Sequence, residues 1–377
     1  MSVTTSPTEA TGGSFSDDKL AQAGQLELTW LRFKRHRLAL VSLFIVIFFY
    51  LLAIFADFVA ITDPHHTDAR RGYMPPQGIH LFDENGFAPH VYGLKGARDM
   101  KTFKMVYVPD PSRKIYIELF ARGYEYNLFG LIPTDRHFIG LVNPTPLDGI
   151  FLLGTDQLGR DLFSRLTVAT RISLSIGLAS VGLSLVLGIL LGGISGLYGG
   201  FIDTVIQRVI ELIRSIPTIP LWMGIAAALP NTWSVIQVYF AITLIISLIG
   251  WTELARVVRG RFLALREEDF VIAAELVGAG QFRIMLRHML PSFTSHVIAA
   301  VSLALPAMII SETSLSFLGL GLRPPAISWG ILLQDAQNVQ VLAGAPWLLA
   351  AAAPVVLVIL AFNFLGDGLR DAADPYG

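Results

Sequence analysis

The chain has 377 residues and no cysteine, which excludes disulfide bonds, thiolate metal sites and cysteine nucleophiles. Lack of cysteine also suits a protein with parts on an oxidising face. Charge is scarce: 15% of residues are Asp, Glu, Lys or Arg, against about 25% in soluble domains. A net charge of −1 leaves no basic footprint for nucleic acid. No Gly-x-x-x-x-Gly-Lys-Ser/Thr loop is present to cradle phosphates. The nearest string, Gly93-Leu-Lys-Gly-Ala, has its lysine before the second glycine. There is no His-Glu-x-x-His pair. His65-His66 beside Asp63 and Asp68 read either as a solvated loop or as ligands of an ion. What the chain has in excess is apolar sequence, 53% of residues with a mean hydropathy of +0.58, gathered in long runs. A disordered chain, a disulfide scaffold and an ordinary cytosolic enzyme are all ruled out.

A helix crossing a bilayer needs roughly 20 mostly apolar residues. Six segments qualify: 38–61, 172–197, 204–229, 235–254, 293–315 and 346–365. Gly177, Gly182, Gly188, Gly192, Gly193 and Gly196 in the second suit close helix packing in lipid. Residues 1–13 read as a disordered tail without a signal-peptide core, and Asp17 and Asp18 as helix caps. Trp30, Leu31 and Phe33 alternate with Arg32, Lys34, Arg35 and Arg37, a composition that fits the membrane interface. Basic residues before the first run predict a cytoplasmic N-terminus. Residues 62–165 then lie outside, where a long loop translocates whatever its charge. The loop 256–291 carries six arginines and falls inside, whereas 320–345 carries only Arg323 and falls outside. Six spans with both termini cytoplasmic satisfy both loops.

The outer segment reads as a small domain. Runs 105–108 and 115–120 are β-branched and aromatic, with Pro109-Asp-Pro-Ser-Arg113 between them as a turn signal. Phe103, Tyr107, Tyr116, Phe120, Tyr124, Tyr126 and Phe129 supply apolar surface. Its length exceeds what joining two spans requires. It is either a lid over the outer helix ends or a contact for a docking protein.

In the loop 256–291, Phe270, Ala273, Ala274 and Val277 fall at helical spacing on one face. Gly278 and Gly280 interrupt the pattern, and a second short helix over 281–289 is predicted to end at Pro291. Two short amphipathic helices need a partner, which is either the lipid surface or another protein. Two sets of charges near spans are candidates for function. Arg208, Glu211 and Arg214 are spaced by three on one face of the third run, as an ion-pair ladder or an inner gate. Glu312, in Ser311-Glu-Thr-Ser314, lines a pore or gate or forms a buried structural pair. Pro306 in the same run allows a kink.

Ala273, Ala274, Gly278, Leu290 and Pro291 stand at the spacing of a cytoplasmic signature: Glu-Ala-Ala, three residues, Gly, nine residues, then an apolar residue, any residue, Leu-Pro. With Leu153-Gly-Thr-Asp-Gln-Leu-Gly-Arg-Asp-Leu-Phe-Ser-Arg165, Ala169-Thr-Arg-Ile-Ser-Leu174, Ser314-Leu-Ser-Phe-Leu-Gly-Leu-Gly321, Pro324-Pro325, Ser328-Trp-Gly330, Ala361-Phe-Asn-Phe-Leu-Gly-Asp-Gly-Leu-Arg-Asp371 and Asp374-Pro375, the chain resembles the C-type permease subunits of dipeptide/oligopeptide/nickel ABC importers. The likeness covers 28–64 and 146–375. The stretch between is longer than in most members. Ile272 replaces the usual Glu, with Glu275 or Glu268 as possible substitutes, and His288 stands where Ile is common.

The resemblance implies an all-α polytopic fold of the type I importer permease, in agreement with the six transmembrane helices read above, while the small β-containing periplasmic insertion expected between the first two rests on the runs of residues 62–165 themselves. The resemblance divides the chain into a cytoplasmic tail and interfacial helix (1–37), a first span (38–61), the insertion (62–165) and a permease core (166–377). It implies a coupling loop comprising Phe270, Ala273, Ala274, Glu275, Gly278, Leu290 and Pro291. The chain itself would hold no cofactor or metal; ATP and Mg would be bound by partner ATPase subunits. The implied partners are a second permease, two ATPase subunits or domains, a periplasmic or surface substrate-binding protein and the lipid bilayer, with no nucleic acid. Substrate would be a di- or oligopeptide, with oligosaccharides, nickel chelates or other peptide-like solutes as alternatives. An ion-coupled secondary transporter would show inverted repeats and midplane ligands, and a membrane enzyme a catalytic set inside the spans. Neither pattern is seen.

Overall fold

The computed structural model describes residues 25–84, 86–98, 100, 105–142, 148–230 and 232–373. The expected tail over 1–13, the caps at Asp17 and Asp18, Phe103 and the Asp374-Pro375 end lie outside the described residues. Helix α1 (Gln25–Arg35) leads into α2 (Arg37–Ile54), where the His36 ring accepts from the Ala39 amide, and then into the short α3 (Ala56–Val59). After the strands come α4 (Leu162–Tyr198), α5 (Gly200–Ser215), α6 (Thr218–Ala227) and α7 (Val235–Leu265). The loop after α7 holds the short α8 (Asp269–Leu276), and α9 (Thr294–Phe317), α10 (Trp329–Asp335), α11 (Val339–Gly344) and α12 (Ala352–Ala373) come after it. Among the described residues five helical stretches are long and apolar enough to cross a membrane, and six if α5 and α6 count as one span.

That third stretch differs from the single helix expected over 204–229. Ile216 precedes Pro217, and the proline ring disfavours helical backbone at the residue before it. Ile216 is accordingly extended, and α5 and α6 meet at 85°.

The helices pack around Trp329, which is fully buried. Phe49 of α2 meets its ring edge-on at 6.2 Å, and its indole N–H donates to the Thr170 hydroxyl of α4 at 3.3 Å. α4 runs along α7 and against α9, while α12 packs between α2 and α9. The glycine row of α4 makes the α4–α7 contact close: a Cβ at Gly192 would sit 2.4 Å from the Ala255 carbonyl oxygen.

Among the described residues, six strands lie between α3 and α4: β1 (Ile79–Asp83), β2 (Gly86–Arg98), β3 (Met105–Leu119), β4 (Arg122–Leu128), β5 (Ile132–Arg136) and β6 (Ile139–Leu141). They form an antiparallel sheet in the order β1-β2-β3-β6 and a separate β4–β5 hairpin. The expected turn at 109–113 is instead a bulge within β3. Both flanking runs pair with β2, so Tyr92 faces Lys114 while Gly93 faces Asp110. The Asp110 carboxylate accepts from the Ser112 amide at 3.2 Å and hydroxyl at 2.6 Å, which closes the extra residues locally. Ile61, Val91, Ile115 and Ile150 form this region's own small core.

Candidate functional site

The loop after α7 is built around one glycine. Gly278 has φ +86, its amide donates to the Glu275 carbonyl at 2.9 Å, and the Ala279 amide donates to the Ala274 carbonyl at 3.0 Å. Those two bonds are the Schellman stop of α8, and the left-handed residue they need is best supplied by glycine. No atom lies within 4 Å of a Cβ placed there, so backbone conformation, not space, sets the requirement.

Helix α8 is held to the body by Val271, with Ala274 half-buried beside it. Phe270, Ala273, Glu275, Leu276 and Val277 face outward, Leu276 at 83% and Val277 at 89% exposure. The sequence grouped Phe270, Ala273, Ala274 and Val277 on one face; of these only Ala274 turns inward. Ile272 is exposed, and Glu275 accepts from the Gln281 side chain at 3.2 Å. The second loop helix runs further than expected. Residues Gln281–Arg283 continue as a π-helical Ile284–Met289 and then Leu290–Ser292. Pro291 falls at the first turn of that last piece, where its missing N–H costs no hydrogen bond, so it does not end the helix. Ile284, Met285 and Met289 pack with Val258 and Phe262 of α7 and Phe293 and Val297 of the α9 start. Phe262 and Phe293 meet edge-on at 5.5 Å. The loop is thus fastened to both α7 and α9 while its other side stands free.

At the root of the loop, Arg259 of α7 clasps Asp203 of α5 with two N–H donors, each at 2.5 Å. The Asp203 carboxylate also accepts from Ser195 of α4, whose hydroxyl accepts from Gln207 at 3.1 Å. Such bidentate, charge-assisted pairs fix orientation as well as distance. Sequence reading missed this clasp, although Asp203 opens a run otherwise poor in acids and Arg259 is one of the six arginines of the loop 256–291.

The expected ladder over Arg208, Glu211 and Arg214 forms only in part. Arg208 pairs with Glu211 at 2.7 Å on an exposed face, but Arg214 crosses to Glu253 of α7. Arg214 and Glu253 line a cavity of about 790 Å³ together with Trp222, Ile246, Met308 and Ser311. Its charged lining, which adds Arg261, His296 and Arg370, gathers toward the loop end of α7 and α9. Glu253 lay inside the fourth apolar run and was passed over, though a charge within a span is itself a signal.

Glu312 is fully buried and accepts from Ser173 of α4 at 3.0 Å and Ser316 at 2.9 Å. Ser173 in turn accepts from the Trp329 amide, so the carboxylate knots α4, α9 and the start of α10. Its neighbour Ser311 lines the cavity; Glu312 does not. Far from the loop, the 153–165 motif forms a second knot. Asp156 accepts from the Arg160 guanidinium at 2.6 Å, and Asp161 caps α4 through the Ser164 amide at 2.9 Å. Ser164 accepts from the Ile61 and Thr62 amides, tying α4 to the chain after α3. Burial pushes the Asp161 carboxyl up to about 6. Among the described residues no group of three or more His, Asp or Glu side chains could hold a metal, and His65-His66 gain no acidic ring of ligands.

Residues 185–376, just over half of the chain, match the family of binding-protein-dependent transport system inner membrane components. The chain belongs to this family. Residues 24–76 of the permease also match the N-terminal TM domain of oligopeptide transport permease C. The oligopeptide transport system permease protein OppC of Bacillus subtilis is 34% identical over 262 residues, 69% of this chain and 80% of that protein. OppC of Haemophilus influenzae is 40% identical over 231 residues, 61% of this chain and 71% of that protein. The dipeptide transport system permease protein DppC of B. subtilis is 37% identical over 223 residues, 59% and 68% of the two chains. A structure of the MetNI methionine ABC transporter overlays at a TM-score of 0.43 and 18% identity, over 56% of this chain and 98% of that one. The permease is therefore a multi-pass inner-membrane subunit of an ABC importer, and ATP hydrolysis belongs to partner subunits.

Proposed function

We propose that the permease moves di- or oligopeptides inward and that the loop 256–291 is the joint through which ATP hydrolysis drives it. The relatives named for oligopeptide and dipeptide transport support the substrate class. Oligosaccharides, nickel chelates and other peptide-like solutes remain the runners-up within this importer class. In this reading α5 and α6 together make the third of six spans, both termini are cytoplasmic, and residues 62–165 stand on the periplasmic side. A second permease covers the cavity face. Two ATPase subunits or domains, which hold the ATP and Mg, seat α8 in a cleft, and a periplasmic or surface binding protein delivers the solute.

The observation that carries this reading is the two-sided loop. Phe270, Leu276 and Val277 are exposed on a helix whose inner side is bolted to α7 and α9 through Val271, Ile284 and Met289. Full burial of one such side chain is worth about 1.5–3 kcal/mol, which suits a partner cleft. A helix held this way moves as a rod. Closure of an ATPase cleft would swing α7 and α9, and the Asp203–Arg259 clasp would carry the swing into α5. The Arg214–Glu253 pair then acts as an inner latch across the cavity mouth, while Glu312 keeps α4 and α9 registered. Both conformations pre-exist, and nucleotide shifts their balance.

Gly278→Val tests the joint. A β-branched residue is strained at φ +86, so the stop of α8 should distort without loss of the protein from the membrane. Uptake and binding-protein-stimulated ATP hydrolysis are expected to fall at least tenfold. Normal uptake by a normally abundant Gly278→Val subunit overturns the assignment of this loop.

A further inference from the structure

Residues 79–141 carry several exposed apolar side chains, and one group of them, which the transport reading does not use, lies beside the end of the first span. It sits on the β4–β5 hairpin, whose tip reads Phe129-Gly130-Leu131-Ile132. Leu131 is 83% exposed, and Phe129 and Ile132 are each more than half exposed. A Cβ at Gly130 would meet nothing within 4 Å, so the tip is open at Gly130.

Its direction can be read from a ladder of contacts along the end of the first span. At the hairpin base, Phe120 and Phe138 pack on Phe58 at 6.1 and 6.0 Å, and the Phe138 amide donates to the Phe58 carbonyl at 2.7 Å. Midway, the Tyr124 hydroxyl lies 3.5 Å from the Asp57 carbonyl. At the tip, Phe129 packs on Phe55 at 5.6 Å. The partners step from Phe58 through Asp57 to Phe55, back toward α2. The hairpin therefore runs alongside the chain toward the membrane, and its tip ends level with the last residues of the span.

The face it joins is also uncovered. Phe44, Phe48, Leu51 and Ile54 of α2 are exposed and apolar, and Phe55 continues them. Phe129, Leu131 and Ile132 extend that surface outward without a break in its apolar character. Two of the aromatic contacts are made from backbone that bulky residues avoid: Phe120 at φ 57 and Phe129 at φ 55. Strain of this kind persists where surrounding structure enforces it and marks sites where a side chain is deliberately aimed.

We propose that this hairpin is a membrane-interface anchor, with Phe129, Leu131 and Ile132 inserted among lipid headgroups and the first acyl carbons beside the first span. Aromatic and aliphatic side chains at that depth bury apolar surface while the strand amides above remain wetted. The anchor fixes how the strand domain leans relative to the bilayer. It does not depend on which solute the permease carries.

The chain has no cysteine, so a single one can be placed at Leu131 without background from this subunit. The full complex, with cysteine-free partners, is labelled with an environment-sensitive fluorophore and placed in nanodiscs whose lipids carry a nitroxide near the carbonyl end of the acyl chain. Phe48→Cys on the lipid face of α2 and Ser112→Cys on the β3 bulge serve as references. Quenching at Leu131→Cys is expected within twofold of Phe48→Cys and at least fivefold above Ser112→Cys, with Ile132→Cys repeating it. Quenching no greater than at Ser112 overturns the proposal. So does a blue-shifted probe at both tip positions that lipid nitroxides fail to quench, which would seat the tip on another protein.

Discussion

Single residues in this permease are legible as chemistry when their backbone or burial leaves few alternatives. Gly278 stood out in sequence as an interruption, and the structure gives the reason: the Schellman stop needs a left-handed residue. Asp161 is the converse case. Nothing in Gly-Arg-Asp-Leu marks it as a buried cap, because burial comes from α4, Ser164 and the Ile61-Thr62 segment after α3 meeting in space. Its carboxyl is raised by burial from 3.8 to about 6. The sign follows from proton counting. Between about pH 4 and 6 the folded protein holds a proton on Asp161 that the unfolded chain has released. Stability from this group is thus greatest at low pH and declines as pH rises through about 6, then stays level. The shift corresponds to about 3 kcal/mol over that window. Asp161→Asn can still cap the helix and removes the titration. The wild-type complex should therefore lose thermal stability between pH 4.5 and 6.5 relative to Asp161→Asn. Parallel curves for the two proteins across that range would show that Asp161 does not titrate there.

At the scale of elements, the long apolar runs were readable because a bilayer demands them, and five of the six hold helices long and apolar enough to cross one. The third broke where Ile216 meets Pro217, a signal present in the sequence but outweighed there by the length of the run. The Pro109–Arg113 string misled for a different reason. A turn signal reports local backbone freedom, whereas pairing of both flanks with β2 is a long-range fact that turns the string into a bulge. The loop signature announced two short helices, yet their inward faces could not be known before Val271, Ile284 and Met285 were seen packing under Phe262. The Asp203–Arg259 clasp was invisible in sequence because its members lie 56 residues apart. Element orientation across the membrane yields a direct test. A cysteine at Ser112, exposed on the β3 bulge, is expected to react with an impermeant thiol reagent in cells stripped of their outer membrane. One at Glu268, exposed at the start of α8, is expected to react only after the membrane is opened. The opposite pattern reverses the orientation proposed above.

Across the whole molecule, two packed bodies share little core. The spans cluster around Trp329, while Ile61, Val91, Ile115 and Ile150 form a separate cluster under the strands. The strand region leaves and rejoins the chain at a narrow neck. The Gln77 amide donates to the Phe151 carbonyl at 2.9 Å, and the Phe151 amide donates to the Gln77 side chain at 2.7 Å. Chain ends held this close can be bridged without strain, as at other sites that tolerate domain insertion. The knot of Asp156, Arg160, Asp161 and Ser164 lies on the core side of the neck and does not need the strands. Deleting residues 79–148 and joining Gly78 to Gly149 through a short flexible linker should therefore leave an assembled complex with basal ATP hydrolysis near its normal rate. The cost is the exposure of Ile61 and Ile150, about 1.5–3 kcal/mol apiece if fully uncovered, together with the loss of the ring contacts that Phe120, Phe138 and Phe129 make with Phe58 and Phe55, so midpoint stability falls. In the orientation proposed above, the same deletion removes an ordered body from the face where a loaded binding protein would land. Stimulation of ATP hydrolysis by that protein is expected to drop severalfold while basal hydrolysis persists, which a side-by-side assay of the purified complexes would read. Loss of assembly would make the strand domain part of the structural core. Unchanged stimulation would show that docking relies on the helix ends and the 153–165 knot alone.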